Sequence, residues 1–136
     1  MDFKSWPAEQ LAGQRLMAGF DGKHLDRQLQ GLIEDLQLGG LILFKRNVES
    51  PRQIAGFCRA VQRYARDCGL PPLFIAIDQE GGQVARLGPP FTQFPGNPAI
   101  RNIVDAERFA RITAIELAWV GINMNLAPVV DVAPEG

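Results

Sequence analysis

LFIAIDQEGG, residues 73–82, begins as a strand and ends as a turn. Leu73 to Ile77 form an unbroken apolar run, set off by Gly69, Pro71 and Pro72 on one side and by Gly81 and Gly82 on the other. A short run of this kind, without polar alternation, reads as a strand buried on both faces in a parallel sheet. Its end delivers two carboxylates, Asp78 and Glu80, into the glycine pair.

Working outward, ESPRQIAGFC (49–58) opens a helix, with Ser50 as cap, Pro51 at the first helical position and Gln53 completing a capping box. Ile54, Phe57, Cys58, Val61, Tyr64, Ala65 and Cys68 recur at helical spacing, so one apolar face must pack on something. Before this helix, GGLILFKRN (39–47) is a second apolar run. Strand, helix, strand with starts about thirty residues apart is the length of a right-handed crossover between parallel strands.

The pattern extends both ways. RLMAGF (15–20) reads as an earlier strand, and Leu25, Leu29, Leu32, Ile33 and Leu36 as an amphipathic helix closed by Gly39. Downstream, Asp105 is the expected cap of a helix carrying Phe109, Ile112, Leu117 and Val120 and ending at Gly121, before INMNLAPVVDV (122–132) supplies a further strand. Four successive βα units define an α/β fold in a single domain over residues 1–136. Between them, GPPFTQFPGNPAI (88–100) holds four prolines and reads as a stiff surface loop leaving the strand that ends at Asp78. Loops at the C-terminal ends of parallel strands form the binding face.

Composition narrows the partners. With 14 basic and 15 acidic residues the net charge is -1, which provides no field to attract nucleic acid or an anionic membrane. The start MDFKSWPAEQ lacks the apolar run of a signal peptide, no stretch is long enough to span a bilayer, and a cytoplasmic location is expected. Cys58 and Cys68 lie ten residues apart on one helix, about 15 Å of rise, so they cannot bridge and are expected to be reduced.

In an extended backbone Asp78 and Glu80 point to the same side, about 6–7 Å apart along the chain. A carboxylate pair at such a separation suits a glycosidase. The alternative is structural, one acid pairing with Arg46 or Arg86 and the other solvated. Gly81 and Gly82 permit positive φ and a close backbone approach to a ligand, or only a turn. The spacing of a dinucleotide fingerprint or P-loop is absent.

IDQEGGQVARL (77–87) resembles the Asp-x-Glu-Gly-Gly-x-Val-x-Arg motif of glycoside hydrolase family 3, especially its β-N-acetylhexosaminidases. GGLILFKRN resembles the family's second strand and Arg-Asn loop, and NMNLAPVVDV the strand about forty residues after the motif. The resemblance implies the N-terminal half of a (β/α)8 barrel from an enzyme that removes terminal β-linked N-acetylglucosamine with retention, often in recycling of cell-wall muropeptides. It also implies that Asp78 is a substrate-binding carboxylate accepting hydrogen bonds from sugar hydroxyls and that Arg86 is a donor in the same subsite. Neither is the nucleophile, and no cofactor or metal is implied. Glu80 is expected to stand behind them, paired with Arg46 by charge complementarity.

A complete barrel of this type takes about 250 residues, so 136 residues with four units are expected to lack the family's His-bearing loop, its Lys-His pair and its nucleophilic Asp. No catalytic residue is therefore assigned. His24, the only histidine, reads as exposed or capping, and FPGN (94–97) echoes the family's Phe-Pro-Gly-His loop without its histidine. An open half barrel would expose strand edges and an inward apolar layer. Self-association is the expected cover, with a complementary half barrel or a rearrangement of the terminal strands as alternatives. A noncatalytic sugar-binding or oligomerising module is the competing function, and a phosphate-binding barrel fits less well because its anion site comes from late strands.

Overall fold

The computed structural model describes residues 3–131. In chain order it contains α1 (Ala8–Gly13), β1 (Met17–Gly19), α2 (Arg27–Leu36), β2 (Gly40–Leu43), α3 (Pro51–Asp67), β3 (Phe74–Ile77), β4 (Gln79–Gly81), β5 (Val84–Ala85), α4 (Ile103–Trp119) and β6 (Met124–Asn125). Strands β1, β2, β3 and β6 form one sheet in that spatial order, every pair parallel. The fold is α/β, as the run of βα units predicts. β4 and β5 make a small antiparallel hairpin directly beyond β3, an element the sequence reading does not contain, and α1 is likewise unanticipated.

Register separates the two faces of the sheet. Leu41 aligns with Ile75, and Leu43 with Ile77 and through it Asn125. The four aliphatic residues are fully buried and join one core cluster with Leu29 and Ile33 of α2, Ile54, Phe57, Cys58, Val61 and Ala65 of α3, and Leu117 of α4. Right-handed crossovers between sequential neighbours put all their helices on one side. The opposite face carries Met17, Gly40 and Phe74 in one row and Gly19, Ile42, Ala76 and Met124 in the next. Ala76 is still fully enclosed, yet Phe74 is 58% exposed and Met17 and Met124 each 37%. The expectation of strands buried on both faces is thus corrected: helices cover one face and the other lies open.

The helix ends follow local chemistry. Ser50 Oγ accepts from Gln53 N–H at 3.1 Å, as expected, but the Gln53 amide oxygen accepts from Glu49 rather than from Ser50. Asp26 caps α2 by accepting from Leu29 N–H at 2.9 Å, which leaves His24 exposed and without a capping role. The cap of α4 is Asn102, whose Oδ1 accepts from Asp105 N–H at 3.0 Å; Asp105 is the capped residue, two positions inside the helix, because Asn102 already has the extended backbone a cap requires.

Gly39 also differs from expectation. α2 is closed by Gln37 in the left-handed conformation (φ 49°), and Gly39 begins the approach to β2. A Cβ on Gly39 would overlap the carbonyl of Gln14, and Gly39 N–H donates to the carbonyls of Gly13 (3.0 Å) and Leu16 (3.1 Å). Close backbone approach, not a positive φ, demands glycine here.

The last expected strand is short. Only Met124 and Asn125 join the ladder, and Val132, at the end of the predicted run, lies outside the described residues. Burial pushes the Cys58 thiol up to about 12, which keeps it protonated and inert at neutral pH. Among the described residues no helix is long and apolar enough to cross a membrane.

Candidate functional site

Extended backbone alternates its side chains, so Asp78, one step beyond the helix-facing Ile77, belongs to the open face. Phe44 stands in the same relation to Leu43 at the end of β2. A Cβ on Gly19 would come within 3.2 Å of the Phe44 ring and 3.7 Å of Ile42, so Gly19, Ile42 and Phe44 share that face. The C-terminal ends of β1, β2 and β3 therefore converge on one rim, the end of a parallel sheet where binding groups gather.

On that rim the Arg86 guanidinium donates to Asp78 Oδ2 at 2.8 Å, with the two side chains 28% and 20% exposed. The Arg86 guanidinium carbon lies 5.9 Å from the centroid of Phe44, and that of Arg46 lies 4.6 Å from the same ring. Arg86 Nε–H is buried without an acceptor. The two residues singled out in the sequence, eight positions apart, are thus brought into direct contact by the β4–β5 hairpin. A fixed, partly exposed carboxylate held by a guanidinium can accept hydrogen bonds from vicinal hydroxyls, and such charge-assisted bonds exceed neutral ones.

Arg46 is not the partner of Glu80. Its Nε donates to Asp21 Oδ1 at 2.9 Å and lies 3.3 Å from the Phe20 carbonyl. The cause is Asn47, whose buried amide donates to the carbonyls of Phe20 (3.1 Å) and Gly22 (2.8 Å) and accepts from Phe44 N–H (2.8 Å). This clamp draws the Lys45–Asn47 turn toward the loop after β1, away from β4. Among the described residues Glu80 forms no ion pair. It borders a separate recess of about 660 Å³ with Gly82, Pro95, Asn97 and Val129, and Asp78 does not line that recess.

The glycine pair is explained by packing. Gly81 and Gly82 have φ of 86° and 60°, and Gly82 N–H donates to the Phe94 carbonyl at 2.7 Å. A Cβ on Gly81 would lie 2.9 Å from that carbonyl, and one on Gly82 2.8 Å from the Pro95 carbonyl. The FPGN segment therefore fills the space beside the glycines; the close approach is made by protein and leaves no phosphate cradle there. The proline-rich loop is anchored through Thr92, whose N–H and hydroxyl donate to Glu116, and through an edge-on contact of Phe94 with Phe109, and it contains a 3-10 turn at Asn97–Ala99 that the loop reading did not include.

Sequence reasoning missed four residues of the site. Gln79 was passed over between the two acids, although alternation obliges it to face the opposite way. Phe44 was read only as strand. Asn123 and Asn125, spaced by two, were read as part of a run, yet their amides pair with β3 and Gln79 backbone. Among the described residues no cluster of His, Cys, Asp and Glu could hold a metal.

The chain is thus a parallel βα domain with an acid at the end of its third strand, held by the arginine of the hairpin beyond. The chain belongs to glycosyl hydrolase family 3: the model of that family's N-terminal domain matches residues 9–136. It is 35% identical over 120 residues to a beta-hexosaminidase of Pseudomonas aeruginosa, covering 85% of this chain and 35% of that protein. Among solved structures it is similar to a family 3 beta-N-acetylglucosaminidase from a Paenibacillus strain, with a TM-score of 0.87 and 39% identity over 91% of this chain and 24% of the other. It is also similar to NagZ from Neisseria gonorrhoeae, with a TM-score of 0.74 and 27% identity over 86% of this chain and 36% of that one. The chain thus spans about a third of the length of the curated relative it matches in Pseudomonas aeruginosa.

Proposed function

We propose that this chain, as one domain, supplies the N-terminal half of the (β/α)8 barrel of a glycoside hydrolase acting on terminal β-linked N-acetylglucosamine, of the type that recycles cell-wall muropeptides, with Asp78 and Arg86 in the sugar subsite. The observation that carries the reading is the 2.8 Å contact between Arg86 and Asp78 on the C-terminal rim of the open face. The similarity to a beta-hexosaminidase and to a beta-N-acetylglucosaminidase supports the substrate class. A cytoplasmic setting accords with the two unbridged cysteines.

In this reading Asp78 orients the sugar and does not attack it. Retaining hydrolysis needs a nucleophile and an acid/base about 5–5.5 Å apart across the bond. The carboxylate at 78 is committed to Arg86, and Glu80 borders another recess. The 136-residue chain is therefore expected to bind N-acetylglucosamine without hydrolysing an aryl N-acetyl-β-glucosaminide. Titration with the sugar beside a chromogenic assay checks both. Absence of any sugar binding, or turnover by the chain alone, would contradict the reading.

The exposed apolar residues Met17, Phe74 and Met124 of the open face, between the edges of β1 and β6, support a second reading, in which that face is covered by self-association or by a complementary half barrel. Sedimentation equilibrium of the isolated chain is expected to show concentration-dependent association that Phe74→Lys weakens. A monomer at all concentrations would remove self-association.

A further inference from the structure

Gln79 carries a hydrogen-bond pattern that packing alone does not require. It is buried between two partly exposed acids, and its Oε1 accepts from two successive backbone N–H groups, those of Arg86 (2.9 Å) and Leu87 (3.0 Å). Its Nε2 donates to the Leu87 carbonyl at 3.3 Å. The side-chain amide therefore stands in for a strand backbone and extends the hairpin two residues past Ala85, the partner of Gln79 in the β4–β5 ladder. The backbone of Gln79 is itself held: Asn125 Oδ1 accepts from its N–H at 3.0 Å and Asn125 Nδ2 donates to its carbonyl at 3.3 Å.

We infer that Gln79, anchored by Asn125, is the positioning residue that sets the Arg86 guanidinium against Asp78 and thereby shapes the sugar-binding rim. A chain of amides runs from the edge strand β6 through Gln79 to the backbone of Arg86. From there the guanidinium reaches back to the residue beside Gln79. Without the amide, the arginine hangs from the end of a two-residue strand, and the orientation of its fork is no longer fixed by its own backbone. Only the functional consequence of this inference rests on the sugar-binding reading; the positioning itself does not.

The test compares Gln79→Glu with Gln79→Met by NMR of the 15N-labelled chain, following solvent exchange of the Arg86 Nε–H, which is buried in the intact site. A carboxylate keeps both accepted bonds and loses only the one donated to the Leu87 carbonyl, whereas methionine loses all three and keeps only the shape. Positioning predicts protection retained in Gln79→Glu and exchange faster by about tenfold or more in Gln79→Met. A role limited to packing predicts the reverse order, because the buried charge then disrupts and the apolar isostere does not; that order overturns the inference. Should Gln79→Met fail to fold, the wild-type chain decides: the Arg86 and Leu87 amides must be protected from exchange, and rapid exchange of both overturns it.

N-acetylglucosamine separates this inference from the functional reading. Where the wild-type chain binds the sugar, Gln79→Met weakens binding about tenfold and adds no further loss to Arg86→Ala, since both act through one group; full additivity overturns the inference. Where the wild-type chain binds no sugar, the functional reading fails and the exchange data alone decide the positioning.

Discussion

Binding of N-acetylglucosamine is expected to fall by two to four orders of magnitude in Asp78→Ala, which places it beyond detection for the isolated chain. A hydrogen bond to a charged group contributes about 1.5–3 kcal/mol, and a carboxylate at the edge of a sugar subsite accepts two from vicinal hydroxyls. The loss exceeds the stability change. The Arg86 and Asp78 side chains are 28% and 20% exposed, so removing the carboxylate leaves a largely enclosed guanidinium without its partner, at a cost to folding of about 1–3 kcal/mol. Arg86 keeps its neighbour Phe44 and its backbone anchor at Gln79 in the variant. Asp78→Asn is expected to fall between: it preserves shape and one acceptor but removes the charge. Calorimetric or NMR titration of the three chains, with thermal unfolding as control, checks the ordering. Equal affinity in Asp78→Ala would show that the rim does not use this carboxylate.

A large loss of stability is expected at Gly39. Gly39→Ala drives a methyl into the carbonyl of Gln14, a backbone atom that no rotamer change can move aside. The strain threatens the hydrogen bonds of Gly39 to Gly13, Leu16 and Phe74, which tie α1, β1 and β3 together at the start of β2. A cost of about 3 kcal/mol or more follows from overpacking combined with broken buried bonds. Gly69 provides the contrast. It closes α3 with φ 74° and open space where a Cβ would stand, so Gly69→Ala costs only the left-handed penalty of about 1–2 kcal/mol. Chemical denaturation of the two variants distinguishes a glycine required by close backbone approach from one required by a left-handed φ. A loss at Gly39 no greater than at Gly69 would mean that the neighbouring backbone yields.

The parallel βα architecture was legible because its signals are local and redundant. Leu73–Ile77 and Leu41–Leu43 are unbroken apolar runs of strand length, and the period of Ile54, Phe57, Cys58 and Val61 matches the buried stripe of α3; the open face that leaves Phe74 exposed left no local mark. The contact of Asp78 with Arg86 was reachable from motif spacing. What stayed hidden depends on where distant backbone lies. Nothing near Gly39 in sequence reveals the Gln14 carbonyl, and Asn102 and Asp105 are equally good caps until the backbone of one becomes extended. The pairing expected between Glu80 and Arg46 failed because charge complementarity ignores tethering: Asn47 had already fixed the Arg46 turn to the Phe20 loop. Gln79 was legible in principle, since a polar residue between two rim acids must turn inward and find partners there.

Mapping N-acetylglucosamine onto the 15N-labelled chain by chemical-shift perturbation tests the central claim most directly. The predicted result is a saturable set of shifts at Asp78, Gln79, Arg86 and Phe44, absent in Asp78→Ala. Shifts confined to the helix-covered side, around α2 or α3, or a pattern unchanged by Asp78→Ala, would contradict it.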